Sequence, residues 1–161
     1  MSALASVTAT SSSNEMVDDP GSGYIIVDAS IWVSRLVSKE AFHQIVKAWM
    51  EGQRAQGTIF LSPALLLPEV AGAISRRTGE KQMANEAIDS LAHLPRLRLI
   101  EIDQPIILEA ARLAADLGLR GADSIYVAVA VRLNLPLVTL DEDQSTRAAP
   151  VISVHFLEKQ D

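Results

Sequence analysis

Short apolar runs recur along the chain, and each one is followed by a segment with helical spacing. The runs are too short for stable helices, and their Ile, Val and Leu content is typical of strands that are covered on both faces. We predict five strands, at residues 24–28, 58–62, 97–102, 137–141 and, as an edge strand, 151–157. The strand at 24–28 is the clearest, because it ends abruptly in a carboxylate and a hydroxyl.

The segments between these strands carry apolar residues three and four positions apart, which predicts amphipathic helices. They cover residues 31–37, 41–56, 63–77, 80–94, 105–117 and 122–133. Pro63 is expected to begin the third of them and Gly79 to end it, while Asp103 caps the fifth and Gly118 ends it. Alternation of strands and helices predicts an α/β fold, a three-layer α/β/α sandwich around a mainly parallel sheet of about five strands.

Length and composition favour a single domain. The chain has 161 residues, of which 48% are hydrophobic, and this supports one core and hardly two. Residues 1–23 are rich in Ser, Thr, Ala and Gly, so we expect a flexible leader, then a domain over 24–157 and a charged tail over 158–161. No apolar run approaches the roughly 20 residues that span a bilayer, and the start lacks the features of a signal peptide. We therefore expect a cytoplasmic protein with no membrane partner.

The charge balance limits the possible partners. There are 14 basic and 20 acidic residues, for a net charge of −6, which argues against broad, non-specific binding to a nucleic-acid backbone. A local basic rim remains possible, and Arg76, Arg120 and Arg147 are candidates for phosphate contacts. The chain has no cysteine and only three scattered histidines, so a zinc site is not expected.

Four carboxylates stand in unusual places. Asp28 and Asp141 each end a buried strand, although Asp28 could equally serve only as the N-cap of the next helix. Glu69 follows Pro68 in an apolar helix, where a surface position is the simpler explanation. Asp123 lies in the first turn of a very apolar helix, where the helix dipole favours an ionised carboxylate by roughly 0.3 to 1 kcal/mol.

These acids can meet at one edge of the sheet, because the carboxyl ends of parallel strands share a rim. Each close pair of ionised carboxylates repels by about 1 to 4 kcal/mol. A site that keeps them together needs a divalent cation or must protonate some of them. Oxygen donors alone favour Mg²⁺ or Mn²⁺.

The four motifs that carry the acids are VDAS at 27–30, LPEV at 67–70, ADSIY at 122–126 and VTLD at 138–141. Taken in this order, they resemble the acidic motifs of PIN-domain proteins, particularly the VapC-like toxins, over about 24–157. The resemblance implies a Mg²⁺- or Mn²⁺-dependent endoribonuclease that is usually dimeric and inhibited by a cognate antitoxin. The leader before Tyr24 lies outside the family pattern.

The resemblance also implies roles for individual residues. The metal ligands and catalytic acids would be Asp28, Glu69, Asp123 and Asp141. Ser30 and Thr139 would support them by hydrogen bonds, and Asp143 would stand in for a further acid found in some members.

Two other classes remain open. A PIN-like module could bind RNA or a protein without cleaving anything. A receiver-like phosphoacceptor or a haloacid-dehalogenase-like phosphatase also gathers acids at strand ends, but the first wants a second acid beside Asp28 and a late lysine at the rim. Ala29 and Ser30 follow Asp28 instead, and the only lysine after Lys81 is Lys159.

Overall fold

A computed structural model describes residues 23–159, and within that range all five predicted strands form one parallel sheet. The strands are β1 (Tyr24–Val27), β2 (Ile59–Pro63), β3 (Leu97–Ile100), β4 (Leu137–Thr139) and β5 (Val154–Phe156). Their order across the sheet is β3-β2-β1-β4-β5. The predicted fold class is confirmed. Most of the predicted leader, residues 1–22, and the last two residues of the predicted tail lie outside the described range.

Seven helices in this range cover the sheet. They are α1 (Ala29–Leu36), α2 (His43–Ala55), α3 (Leu66–Thr78), α4 (Lys81–Ala92), α5 (Gln104–Leu117), α6 (Gly121–Leu133) and α7 (Glu142–Ala148). Right-handed crossovers place α1 to α4 on one face and α5 to α7 on the other. Packing agrees, since α1 contacts α2 and α3 while α5 contacts α6. None of the helices within 23–159 is long and apolar enough to cross a lipid bilayer.

Helix α6 is the central element of the core. Its residues Tyr126 to Ala130 are all buried, and it packs on β1, β2 and β4. On the other face, the Trp32 indole meets Phe60 edge-on at 5.8 Å, and its nitrogen donates to Ser62 Oγ at 3.2 Å. Trp49 packs on the same phenyl ring at 5.9 Å. Both tryptophans therefore anchor the core.

The helix ends follow the sequence pattern closely. Gly79 and Gly118 terminate α3 and α5 in the left-handed region, with φ of 72° and 67°. Asn134 does the same after α6, with φ of 51°. The Asp103 side chain caps α5 by accepting from the Ile106 amide at 2.9 Å. These short-range signals are reliable for physical reasons. A capping side chain satisfies a free backbone amide, and glycine or asparagine tolerates the left-handed backbone that ends a helix.

Two predicted boundaries were wrong, and one helix was missed. Pro63 does not begin a helix, because it pairs with Ile100 as the last residue of β2. The fifth strand starts at Val154 and not at Val151, whose amide instead donates to Ala148 O at 3.0 Å in a turn after α7. Helix α7 was not predicted at all.

Candidate acidic site

The four predicted acids line one pocket at the carboxyl end of the sheet. The chain runs from β1 toward β2 on one side and later places β4 on the other side, so the strand order reverses between β1 and β4. Such a switch point opens a crevice at the strand ends. The pocket has a volume of about 560 Å³. Its charged and hydroxyl side chains are those of Asp28, Ser30, Glu69, Arg76, Arg77, Arg120, Asp123 and Asp141.

Asp28 connects β1 to α1 and is only 6% exposed. Its Oδ2 accepts from the Ser30 amide at 3.1 Å, the Ser30 hydroxyl at 2.5 Å and the Thr139 hydroxyl at 3.1 Å. Asp28 therefore caps α1 and also lines the pocket, so the two explanations of this residue are compatible. Burial raises its pKa despite these hydrogen bonds, which favour the ionised form.

Ser30 and Thr139 tie the end of β4 to Asp28. The Ser30 hydroxyl accepts from the Leu140 amide at 3.1 Å, and the Thr139 hydroxyl accepts from the Asp141 amide at 3.0 Å. Both hydroxyls then face the same oxygen of Asp28. The backbone that carries Asp141 is thus positioned relative to Asp28 through two side chains.

Gln144 supports this network from below, and sequence reasoning missed it. The residue is fully buried, and its Oε1 lies 2.8 Å from Thr139 Oγ1, while its Nε2 has no partner among the described residues. Gln144 also lowers the pKa of Asp28, which its amide nitrogen can do and its oxygen cannot. The carboxamide therefore accepts from Thr139 with Oε1 and faces Asp28 with Nε2.

A sequence signal for Gln144 did exist. Asp141 is the N-cap of α7, and its Oδ1 accepts from the Gln144 amide at 3.0 Å. An N-cap acid followed three residues later by glutamine resembles a capping box. Applied to 141–144, this rule would have predicted the start of α7, whereas the Gln144 side chain bonds Thr139 and not the Asp141 amide.

Replacing Thr139 by valine is expected to destabilise the protein by about 1 to 3 kcal/mol, because Asp28 and the Asp141 amide each lose a buried hydrogen-bond partner. Thr58→Val is the matched control, since Thr58 is also buried but bonds Gln53 away from the pocket. Urea unfolding of both variants measures the two losses. A Thr139→Val variant that is no less stable than Thr58→Val would contradict a specific role for Thr139.

Glu69 extends from the first turn of α3 into the pocket and is half-buried, so it is not the surface glutamate that the helix pattern favoured. Its Oε1 is buried and lacks a hydrogen-bond partner among the described residues, as does the hydroxyl of the buried Tyr126. Burial raises the pKa of Glu69, the nearby Tyr126 hydroxyl partly opposes this, and the charges of Asp28 and Asp123 add to the rise. Glu69 and Tyr126 are therefore close neighbours, and the Tyr126 hydroxyl is the donor best placed to serve the carboxylate.

Asp123 has a raised pKa. Its pKa is about 6, raised first by burial and then by the negative charge of Asp28, while Arg120 opposes the rise. The helix dipole favours the ionised form, and burial beside other carboxylates outweighs it. The rise agrees with the expectation that acids gathered without a cation must protonate in part.

Arg120 bridges two of the four acids. Its Nε donates to Asp123 Oδ2 at 3.1 Å and its Nη2 to Asp141 Oδ2 at 2.5 Å. The side chain is 68% exposed, whereas those of Asp123 and Asp141 are 16% and 27% exposed. A guanidinium therefore supplies the positive charge between these carboxylates.

The remaining predicted residues divide into two groups. Arg76 lines the pocket, and Arg77 beside it pairs with Glu40 at 2.7 Å. Asp143 and Arg147 pair with each other at 2.8 Å on the exposed side of α7 and do not line the pocket. The structure thus brings two of the three candidate arginines to the acids.

The donor set suits a hard divalent cation, with four carboxylates and an unpaired Glu69 oxygen in one pocket. Within 23–159, no three acidic or histidine side chains converge closely enough to ligate an ion in their present positions. The bridge from Arg120 accounts for part of this, because it holds Asp123 and Asp141 on a guanidinium. Binding an ion would require rearrangement of side chains and not of the fold.

The protein is a parallel α/β domain with four carboxylates at the point where the strand order reverses. Comparison with known families shows which class of protein has this arrangement. The family model for the PIN domain matches residues 25–150. The chain therefore belongs to the PIN-domain family. No curated protein sequence gave a significant match.

Solved structures agree on the fold. VapC20 of Mycobacterium tuberculosis, described as a Sarcin-Ricin loop cleaving toxin, aligns with a TM-score of 0.67 and 18% identity over 76% of this chain and 93% of its own. VapBC2 of Rickettsia felis, bound to a DNA fragment from its promoter, aligns with a TM-score of 0.63 and 16% identity over 84% and 100%. FitAcB of Neisseria gonorrhoeae aligns with a TM-score of 0.61 and 20% identity over 83% of this chain and 96% of its own. At these identities the likeness concerns the fold.

Proposed function

We propose that this protein is a Mg²⁺- or Mn²⁺-dependent endoribonuclease that hydrolyses RNA phosphodiester bonds. The observation that carries the proposal is the gathering of Asp28, Glu69, Asp123 and Asp141 from four separate segments into one pocket. Burial raises the pKa of three of them, Asp28, Glu69 and Asp123. An arrangement this costly in electrostatic energy is typical of functional sites.

The acids are the groups that would hold the cation. Asp28 has one oxygen committed to Ser30 and Thr139, which fixes the orientation of its carboxylate. Glu69 offers its unpaired Oε1, while Asp123 and Asp141 can contribute the oxygens now bonded to Arg120. A bound Mg²⁺ or Mn²⁺ would neutralise charge on the scissile phosphate and acidify a water molecule.

The rim supplies positive charge for the substrate. Arg76, Arg77 and Arg120 line the pocket opposite or beside the acids. Arginine suits phosphate because its planar guanidinium donates two parallel hydrogen bonds. A net charge of −6, with a few arginines at the pocket, favours a local contact with RNA over extended electrostatic binding.

We further propose that the protein is the toxin of a type II toxin-antitoxin pair, acts in the cytoplasm as a homodimer and is inhibited by a cognate antitoxin. The support is family membership together with similar structures described as a toxin, as VapBC2 and as a toxin-antitoxin complex from Klebsiella pneumoniae, the last at a TM-score of 0.56 and 19% identity. Co-purification with the product of an adjacent gene would test the partner.

A PIN-like module that binds RNA or protein without cleavage is the second candidate. The bridge from Arg120 to Asp123 and Asp141 favours it, because it satisfies two acids without any metal. A receiver-like role has less support, since Lys159, the only lysine after Lys81, does not line the acidic pocket.

Incubation of the purified protein with transfer, ribosomal and messenger RNA distinguishes these candidates. The nuclease predicts discrete fragments with Mg²⁺ or Mn²⁺ and intact RNA with EDTA. Binding without fragments under any metal condition would favour the non-cleaving module. A preparation of Asp28→Asn run in parallel excludes a contaminating ribonuclease.

A further inference from the structure

We propose that Arg120 is a built-in counter-ion of the acidic pocket and that a divalent cation must displace it to bind Asp123 and Asp141. This inference rests on the proposed function, since it concerns how the metal enters the same site. Arg120 would then compete with the ion for the same two carboxylates.

The contacts of Arg120 point to competition. The guanidinium bonds Asp123 Oδ2 and Asp141 Oδ2, and these oxygens come from two different elements, the first turn of α6 and the N-cap of α7. A guanidinium has only donors and cannot ligate a metal. It therefore cannot share those oxygens with an ion in the same position without moving.

The surroundings of Arg120 allow it to move. The residue precedes α6 as its N-cap, with an extended backbone, and its side chain is 68% exposed. In the described part of the chain, the hydrogen bonds of its side chain are those to Asp123 and Asp141. Exposed ion pairs contribute little net stability, so a doubly charged ion can replace this one at low cost to the fold.

Arg120 neutralises only part of the negative charge in the pocket. Asp28 and Glu69 line the same pocket, but the side-chain hydrogen bonds of Arg120 in the described residues go to Asp123 and Asp141. The charge of one arginine is thus placed asymmetrically among four acids. Displacement would bring all four to one ion and leave the guanidinium at the rim, where it could meet a phosphate.

Binding of Mn²⁺, measured by electron paramagnetic resonance on the intact protein without RNA, tests this directly. Arg120→Gln should bind Mn²⁺ about five- to tenfold more tightly than the wild type, because the competing cation is gone. Arg132→Gln is the matched control. Arg132 lies in the last turn of α6, and it also pairs with two acids, Asp103 and Glu109, but it does not line the pocket. Its Mn²⁺ affinity should equal that of the wild type.

A structural role for Arg120 predicts the opposite sign. If the arginine merely aligns the acids, Arg120→Gln would bind Mn²⁺ more weakly or equally well, and either result would overturn the inference while leaving the metal site intact. Absence of Mn²⁺ binding in both proteins would overturn the proposed metal dependence together with it. Mg²⁺ should also shift the Arg120 Nε–H resonance toward that of a solvated arginine, whereas an unchanged resonance at saturating Mg²⁺ would contradict displacement.

Discussion

Asp28→Asn is expected to lower metal-dependent RNA cleavage by at least about 100-fold. A loss of this size equals the largest that is typical when a group that only supports a metal ligand is removed. The folded domain should remain as stable as the wild type or become more stable. Asparagine keeps an oxygen that can accept the hydrogen bonds from Ser30 and Thr139, and it removes a buried charge beside Glu69 and Asp123.

Cleavage rates and urea unfolding of the purified variant provide the measurement. Asp116→Asn is a suitable control, because Asp116 is exposed on α5 and does not line the pocket. This control should retain both activity and stability. Full cleavage by Asp28→Asn would contradict the proposed role of the acidic pocket, whereas a variant that unfolds would contradict the expected stability.

The second large effect that we expect is on the stability of the protein, which should depend on pH and on bound metal together. The pKa of Asp123 is about 6 in the folded protein, against an ordinary value of 3.8, so the folded state holds this proton more tightly than the unfolded chain. Its contribution to stability is complete below about pH 3.8 and is lost as the pH rises through about 6. The raised pKa values of Asp28 and Glu69 act in the same direction.

Metal binding should reverse this trend. A cation needs ionised carboxylates, so Mn²⁺ should raise the unfolding temperature clearly at about pH 7.5 and little at about pH 5. With EDTA the pocket acids should make the protein less stable at the higher pH. Thermal unfolding at both pH values, with Mn²⁺ or EDTA, measures the effect.

Asp123→Asn sharpens this experiment. The variant should lose the part of the pH dependence that comes from Asp123, between about pH 4 and 6, and should gain less from Mn²⁺. Asp116→Asn should behave like the wild type under all conditions. An Asp123→Asn profile that coincides with the wild-type profile would show that Asp123 titrates normally and is not a metal ligand.

The fold followed from the sequence because its signals are local. Apolar runs gave the strands, and Gly79, Gly118 and Asn134 ended their helices in the predicted places. Parallel strands must share a rim, so the meeting of Asp28 and Asp141 could be predicted from their positions after strands. Pro63 was misplaced because a proline at the last position of a strand and one at the start of a helix look alike in sequence.

Other features depend on distances that no local pattern carries. The Arg120–Asp123 pair is three residues apart and local, but the bond from Arg120 to Asp141 requires the starts of α6 and α7 to meet. Likewise, the pKa of Asp123 depends on burial and on the charge of Asp28, 95 positions earlier in the chain. Repulsion among the acids was expected from the sequence, but which acid it would affect, and by how much, was not.

The central claim is that Asp28, Glu69, Asp123 and Asp141 together hold a divalent cation. Anomalous diffraction from crystals grown with Mn²⁺ tests it without any assumption about which RNA is cleaved. We predict an anomalous peak in the acidic pocket at about 2.0 to 2.3 Å from oxygens of at least two of these carboxylates, with Arg120 turned away. A pocket without a peak at saturating Mn²⁺, with Arg120 still bonded to Asp123 and Asp141, would contradict the account.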